Sequence, residues 1–159
     1  MGRWRALGVV GAVTAAAASG CGGGGEEERL TKADYQAEIL AVLEDADEPT
    51  ALYTDLVVEP WSRQECADGV ATLEDQVGEL IDRIASLRPP AQVEATHDDF
   101  IAAARTSVDR IGAVRQSVAE GDVSCGRELN EKLYGMPSTR EAERAITRLE
   151  RRGYYVFGE

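Results

Sequence analysis

The side chains best suited to chemistry in this 159-residue chain are few: three cysteines, one histidine and some clustered charges. His97 follows Glu94 by three positions, which puts a carboxylate and an imidazole on one helix face, as in ferritin-like di-metal carboxylate sites. Those sites need two such pairs and two more glutamates, and this chain has a single histidine. His97 is therefore expected to meet a backbone or acidic partner near a turn, with no metal and no cofactor. Glu44-Asp45-Ala46-Asp47-Glu48 and Asp98-Asp99 are dense in carboxylates but lack the glycine turn of a calcium loop, so they read as solvated surface. Catalytic signatures are missing: there is no Gly-x-Ser-x-Gly elbow, no His-Glu-x-x-His, no phosphate-cradling glycine loop and no Cys-x-x-Cys. A non-enzymatic protein is expected. The remaining feature is a basic stripe near the C-terminus, Arg140, Arg144, Arg148, Arg151 and Arg152, opposite an apolar face of Ala142, Ile146 and Leu149. It has two readings. Arginines late in a helix complement the macrodipole and pair with acids along the same helix. Alternatively Arg140, Arg144, Arg148 and Arg152 form a docking face for a protein partner.

The first 25 residues say where these groups reside. Arg3 and Arg5 precede a compact apolar run from Leu7 to Ala18, and Ala18-Ser19-Gly20 supplies the small residues of a cleavage site directly before Cys21. The run falls well short of the roughly 20 residues that span a bilayer, which disfavours an uncleaved anchor. An ordinary secretory signal also ends on small residues, but the cysteine followed by four glycines favours lipidation. The segment resembles the lipobox of bacterial lipoproteins, in which the cysteine thiol receives a diacylglycerol and becomes the first mature residue. Cys21 is then the lipidation site, residues 1–20 a cleaved signal peptide and residues 21–29 a tether. Four glycines and Glu26-Glu27-Glu28 in that tether combine high chain entropy with mutual repulsion. The expected location is the cell envelope, with the lipid in the outer face of the cytoplasmic membrane, or in an outer membrane if the cell has one.

Loss of residues 1–20 removes Arg3 and Arg5 and no acid, leaving 15 basic against 29 acidic side chains, a charge of −14. Nucleic acid is excluded as a partner on these grounds, because phosphate binding needs a basic surface. With Cys21 carrying lipid, Cys66 and Cys125 remain as an even pair in an oxidising compartment and are expected to be bridged.

Residues 30–159 read as one all-α domain, an antiparallel bundle on a long helical hairpin. Capping boxes are expected at Thr31/Asp34, Ser62/Glu65 and Ser138/Glu141, with hydrophobic staples of Leu30 on Tyr35 and Trp61 on Cys66. The first helix spans about Lys32 to Ala46, with Tyr35, Ile39, Val42, Leu43 and Ala46 inward. Residues 50–60 admit either a short helix or an extended stretch. The second long helix, about Arg63 to Leu87, carries Cys66, Val70, Leu73, Val77, Leu80 and Ile84 at helical spacing. Pro89-Pro90 ends it, since neither proline can donate to a helical ladder. The third, about Ala91 to Glu120, presents Val93, His97, Phe100, Ala104, Ser107, Ile111, Val114 and Val118, with Gly121 as its cap. An antiparallel hairpin of these two places Cys66 and Cys125 at one end. A short helix ending at Gly135 follows, then a last helix from Thr139 to Arg152 with Ala142, Ala145, Ile146 and Leu149 inward, Gly153, and an aromatic tail Tyr154-Tyr155-Val156-Phe157.

Taken together, the lipobox, the tether, the opening Leu30-Thr31-Lys32-Ala33-Asp34-Tyr35, and the turn Leu87-Arg88-Pro89-Pro90-Ala91 followed by His97 resemble a loose group of small helical lipoproteins of GC-rich bacteria. The resemblance implies location and architecture and no catalytic residues. The function expected is a lipid-anchored extracytoplasmic module that binds or interacts, its partners being the membrane through the lipid and an envelope protein. A metal- or small-ligand-binding lipoprotein is the alternative.

Overall fold

The computed structural model describes residues 29–134 and 137–154. Cys21, the lipobox and tether, Gly135, and Tyr155-Val156-Phe157 lie outside the described residues. Within them the fold is all-α with no strand: α1 (Lys32–Glu44), α2 (Asp47–Val58), α3 (Arg63–Ala85), α4 (Glu94–Glu120), α5 (Arg127–Tyr134) and α6 (Pro137–Arg151). The open question over residues 50–60 is resolved as helix. Pro49 sits in the first turn of α2, where a missing N–H costs nothing.

The six helices make four columns. The second and third long helices of the sequence reading are α3 and α4, antiparallel around the Pro89-Pro90 turn. At that turn Leu30 N–H donates to the Arg88 carbonyl at 2.9 Å, so α1 starts at the hairpin tip and descends. α2 continues downward until the Leu56 carbonyl accepts from Gly126 N–H at 2.9 Å, at the disulfide end. From there α5 climbs beside α2 and α4, and α6 climbs beside α4. The result is an up-and-down bundle whose two inner columns are continuous and whose two outer columns are each split into two helices.

Burial follows this arrangement. The lower half packs Leu56 of α2, Val70 and Leu73 of α3, Val114 and Val118 of α4 and Leu129 of α5 into one cluster. At the hairpin end Tyr35, Ile39, Val93, Leu149 and Tyr154 form another, with Val42, Ile84 and Ile101 beneath it. α4 buries Thr96, Ile101 and Ala103 as well as His97, Ala104, Ile111, Val114 and Val118 of the expected seam, because helices cover it on more than one side, while Phe100 and Ser107 of that seam are half-buried. Its first residue is Glu94 rather than Ala91, since Pro89-Pro90 and a turn through Val93 occupy the interval.

Local signals fare unevenly. Ser62 and Glu65 form the full reciprocal capping box. At Thr31 half of it forms: the hydroxyl accepts from Asp34 N–H at 3.2 Å, while the Asp34 carboxylate takes the hydroxyl proton at 2.6 Å instead of a backbone amide. Trp61 is exposed at 37% and donates its indole N–H to the Asp55 carbonyl. Ser138 is no cap at all. It lies inside the first turn of α6, fully buried, with its hydroxyl 2.9 Å from that of Ser107 on α4. Gly121 ends α4 as expected, at φ 90°, with Gly121 and Asp122 returning amides to the last turn.

That turn brings the chain back so that Cys66 and Cys125 are joined, their Cα atoms 5.9 Å apart. The bridge closes a loop of 59 residues holding the whole hairpin. Non-reducing peptide mapping of protein isolated from its native cells is expected to recover Cys66 joined to Cys125. Replacing both by alanine is expected to lower the unfolding free energy by about 4 kcal/mol, from loop-closure entropy. Two free thiols, or an unmoved urea midpoint in the double variant, would remove the bridge from the architecture.

Candidate ligand-binding site

The histidine sits where the hairpin tip meets the ends of α1 and α6. Tyr35 and His97 are each buried, and the Tyr35 hydroxyl lies 2.8 Å from His97 Nδ1. This corrects the expectation of a backbone or acidic partner. Burial pushes the Tyr35 phenol far above its ordinary range, with a smaller push from Tyr154, so it stays protonated, and which of the two groups donates follows from the tautomer of the imidazole. Burial holds its pKa below the usual imidazole range, against a weaker upward pull from Asp98. Tyr154 packs edge-on to Tyr35, ring centroids 5.9 Å apart, and Lys32 Nζ lies 5.0 Å from the Tyr154 ring centre. Tyr154 is thus a core residue and not the start of an aromatic tail. Gly153, at φ 76°, makes this possible by reversing the chain after α6 so that the Tyr154 amide bonds the Leu149 carbonyl. Glu94 turns away from His97 and pairs with Arg29 at 2.8 Å. The Glu-x-x-His spacing therefore brings no two ligands together.

The arginine stripe divides. Arg148 pairs with Asp99 of α4 at 2.8 Å, and Arg152 donates to the Gln92 carbonyl. The first joins α6 to α4 and the second joins residues flanking those helices, where pairs along one helix were expected. Both Arg148 and Asp99 are well exposed, so the pair is worth up to ~1 kcal/mol. Arg144 borders a shallow groove with Arg148, Asp99 and Glu141, and neither Arg140 nor Arg144 makes an ion pair among the described residues.

The site that no sequence pattern announced lies at mid-height, between the lower cluster and the two upper ones. Here both outer columns change helix, α1 giving way to α2 and α5 to α6. The side chains of two full-length helices face a gap that neither outer column fills. A cavity of about 300 Å³ results. Leu73, Val77 and Leu80 of α3 form one wall and Ser107 and Ile111 of α4 another. Ala46, Pro49, Thr50 and Tyr53 flank it on the α1–α2 side and Leu133 and Thr139 on the α5–α6 side, and it is open to solvent. Val77 and Leu80, expected in the core, are only half-buried because they border this space. Three of the four hydroxyls around it are committed, and that of Thr139 has no hydrogen-bond partner among the described residues. Thr50 donates to the Ala46 carbonyl at 2.7 Å, Tyr53 to Asn130 Oδ1, and Ser107 bonds Ser138. What the cavity offers a guest is apolar contact. Its volume is about twice that of the ~150 Å³ apolar cavity that holds a benzene-sized guest.

The acidic run falls beside it. Glu44, Asp45, Asp47, Glu48 and Glu79 line a second groove that shares Pro49 and Leu80 with the cavity. Asp45 pairs there with Arg83, and Glu48 Oε1 accepts from Gln76 Nε2 at 2.8 Å.

Comparison of the chain with protein-family models, with curated proteins and with solved structures finds no match in any of the three. The site therefore stands on its own geometry.

The buried Tyr35–His97 pair has a measurable consequence. A histidine with a depressed pKa in the fold binds fewer protons folded than unfolded, so stability is full above the unfolded value near ~6.5 and falls as pH drops through it. The urea midpoint is expected to drop between pH 7.5 and 5.5, and to drop less in His97→Gln; equal drops would assign the acid sensitivity to the carboxylates. Tyr35→Phe leaves Nδ1 buried without its hydrogen-bond partner and is expected to cost about 1–3 kcal/mol at pH 7.5.

Proposed function

We propose that this protein is a non-enzymatic binding module held at the outer face of the cell's membrane by lipid on Cys21, and that the mid-height cavity is its binding site. The observation that carries the binding reading is the cavity itself: apolar, bordered by four columns, with the hydroxyls of Thr50, Tyr53 and Ser107 satisfied internally. The groups that could have done acid–base or nucleophilic work are tied up instead, His97 by Tyr35 and both domain cysteines by each other. The lipid anchor is supported by the order of residues from Arg3 to Cys21. No helix among the described residues is long and apolar enough to cross a membrane. The seven residues between Cys21 and Arg29 reach at most ~28 Å when extended. Since Arg29 and Leu30 bond to Pro89 and Arg88, the hairpin tip is the end that faces the lipid.

The metal-binding alternative loses its ligands: Glu94 is paired with Arg29, and among the described residues no three His, Cys, Asp or Glu side chains are grouped to hold an ion. A docking face for an envelope protein remains a second reading, favoured by Arg140 and Arg144, which are exposed and make no ion pair among the described residues.

Two measurements test the proposal. Cys21→Ala is expected to move the protein out of the membrane fraction in cells; an unchanged attachment and mass would reject lipid at this position. For the cavity, the full chain carrying Cys21→Ser is titrated with 1-octanol, an uncharged probe. The methyl resonances of Leu73, Val77, Leu80 and Ile111 are expected to shift together, and Val77→Phe, which fills the space, to suppress the shifts. No shift in the unfilled protein would dismiss the cavity as a site.

A further inference from the structure

Resting on that reading of the cavity and of Cys21, we propose that the guest is the protein's own lipid: away from a bilayer, one aliphatic chain of the diacylglycerol on Cys21 folds back beside α1 and lies in the mid-height cavity. The connection allows it. The described chain begins at the hairpin tip, where Arg29 bonds the Pro89 carbonyl. From Lys32 at the start of α1 down to Ala46, which lines the cavity, the distance is about 21 Å at ~1.5 Å per residue. The link from Arg29 back to Cys21 reaches at most ~28 Å when extended. Relaxed, a glycine-rich chain of that length spans about 15 Å, and the repulsion among Glu26, Glu27 and Glu28 lengthens it. The glycerol supplies the remainder. A link whose natural span is close to the distance it must cover presents its guest at the highest effective concentration, in the millimolar range for short flexible links. A free guest of equal affinity has to match that concentration to compete.

Size and chemistry agree with a chain. Leu73, Val77 and Leu80 line one wall at i, i+4 and i+7, an apolar stripe about 10 Å long, and Ile111 faces it from α4. The volume of about 300 Å³ is twice the ~150 Å³ that holds six-carbon benzene, so about ten carbons of an acyl chain fit. Thr50, Tyr53 and Ser107 are bonded within the protein and ask nothing of a guest without polar atoms. Because the cavity is open to solvent, the chain can enter by its end while the ester groups stay in water. Burial then decides when the cavity is filled. Each methylene taken out of water favours the buried state by about fourfold. Ten carbons in the cavity are therefore held firmly against water. A bilayer takes up the whole of every chain, and it wins wherever one is present. The cavity covers the chain before the protein meets lipid and releases it on contact.

The test uses the mature chain beginning at Cys21, whose other two cysteines are bridged, alkylated on the Cys21 thiol with ethyl, hexyl, decyl or hexadecyl iodide. The decyl form is expected to shift the methyl resonances of Leu73, Val77, Leu80 and Ile111 relative to the ethyl form, independently of protein concentration. The folding constant should rise several-fold from hexyl to decyl and no further with hexadecyl, once the space is full. Val77→Phe should remove both effects, with the urea midpoint of its ethyl form reporting that the variant still folds. Added phosphatidylcholine vesicles should return the methyls to their positions in the ethyl form; shifts that persist would overturn release to a bilayer. Shifts that fade on dilution would mean that the chain enters a second copy, which overturns the tethered arrangement. If the decyl and ethyl forms are identical, the inference falls; 1-octanol then decides the cavity separately, since it moves the same methyls if the cavity is a site. An intact mass from cells without diacylglycerol on Cys21 would remove the natural guest, whatever the alkylated chain does.

Discussion

The α3–α4 hairpin is closed at both ends, by a double proline at the tip and by the Cys66–Cys125 bridge at the base, and the other helices are placed by what this closed unit leaves uncovered. α3 and α4 run for 23 and 27 residues. Each presents an apolar stripe far longer than any outer helix here. The stripe has to be covered in pieces, α1 and α6 near the tip, α2 and α5 near the base. Pieces of helix do not meet end to end without a turn, and a turn cannot present side chains at helical spacing. The gap at mid-height is thus a direct outcome of covering two long helices with four short ones.

That view makes sense of residues that would otherwise look misplaced. Ser107 and Ser138 bond each other in a buried setting because α6 begins at this level and its first turn must satisfy a polar group against α4. The Tyr53 hydroxyl reaches Asn130 across α2 and α5 for the same reason. Deep interior near the tip is instead aromatic, with Tyr35, His97 and Tyr154 in mutual edge contact. Polar rings fit there because each has found a partner: Tyr35 bonds His97, and the Tyr154 hydroxyl accepts from Gln92. The tip is a satisfied core, and the middle is an open, mostly apolar space.

Electrostatics separates the two faces. The acids at the α1–α2 junction meet few bases, and the arginines of α6 meet Asp99 and the hairpin tip. On a chain of net charge −12 the exposed pairs do little for stability, since solvent screens them. Their effect is on what can approach. A cation is drawn toward the junction groove and an anion is turned away from it, while the exposed part of the arginine stripe offers the opposite preference on another helix.

The sequence by itself determined the helices, their order and the hairpin, because these rest on local physics. Heptad-like spacing in α3, a Ser62/Glu65 box, two prolines and a left-handed glycine at 121 each act within a few residues of one another. It also pointed to a pairing of Cys66 with Cys125, the even pair left once Cys21 is set aside as the expected lipid site. What it could not contain is the relation between columns. Glu94 and His97 share a helix face, yet the partners they take, Arg29 and Tyr35, are more than 60 positions away. Ser138 has the residues of a cap, and burial against Ser107 made it something else. Tyr154 looked like part of a tail until Gly153 turned it inward. The cavity was least legible of all: Val77 and Leu80 carry the same periodic signal as their buried neighbours. Whether a periodic apolar residue meets a side chain or an opening depends on where two other helices happen to end, and only the tertiary structure decides that.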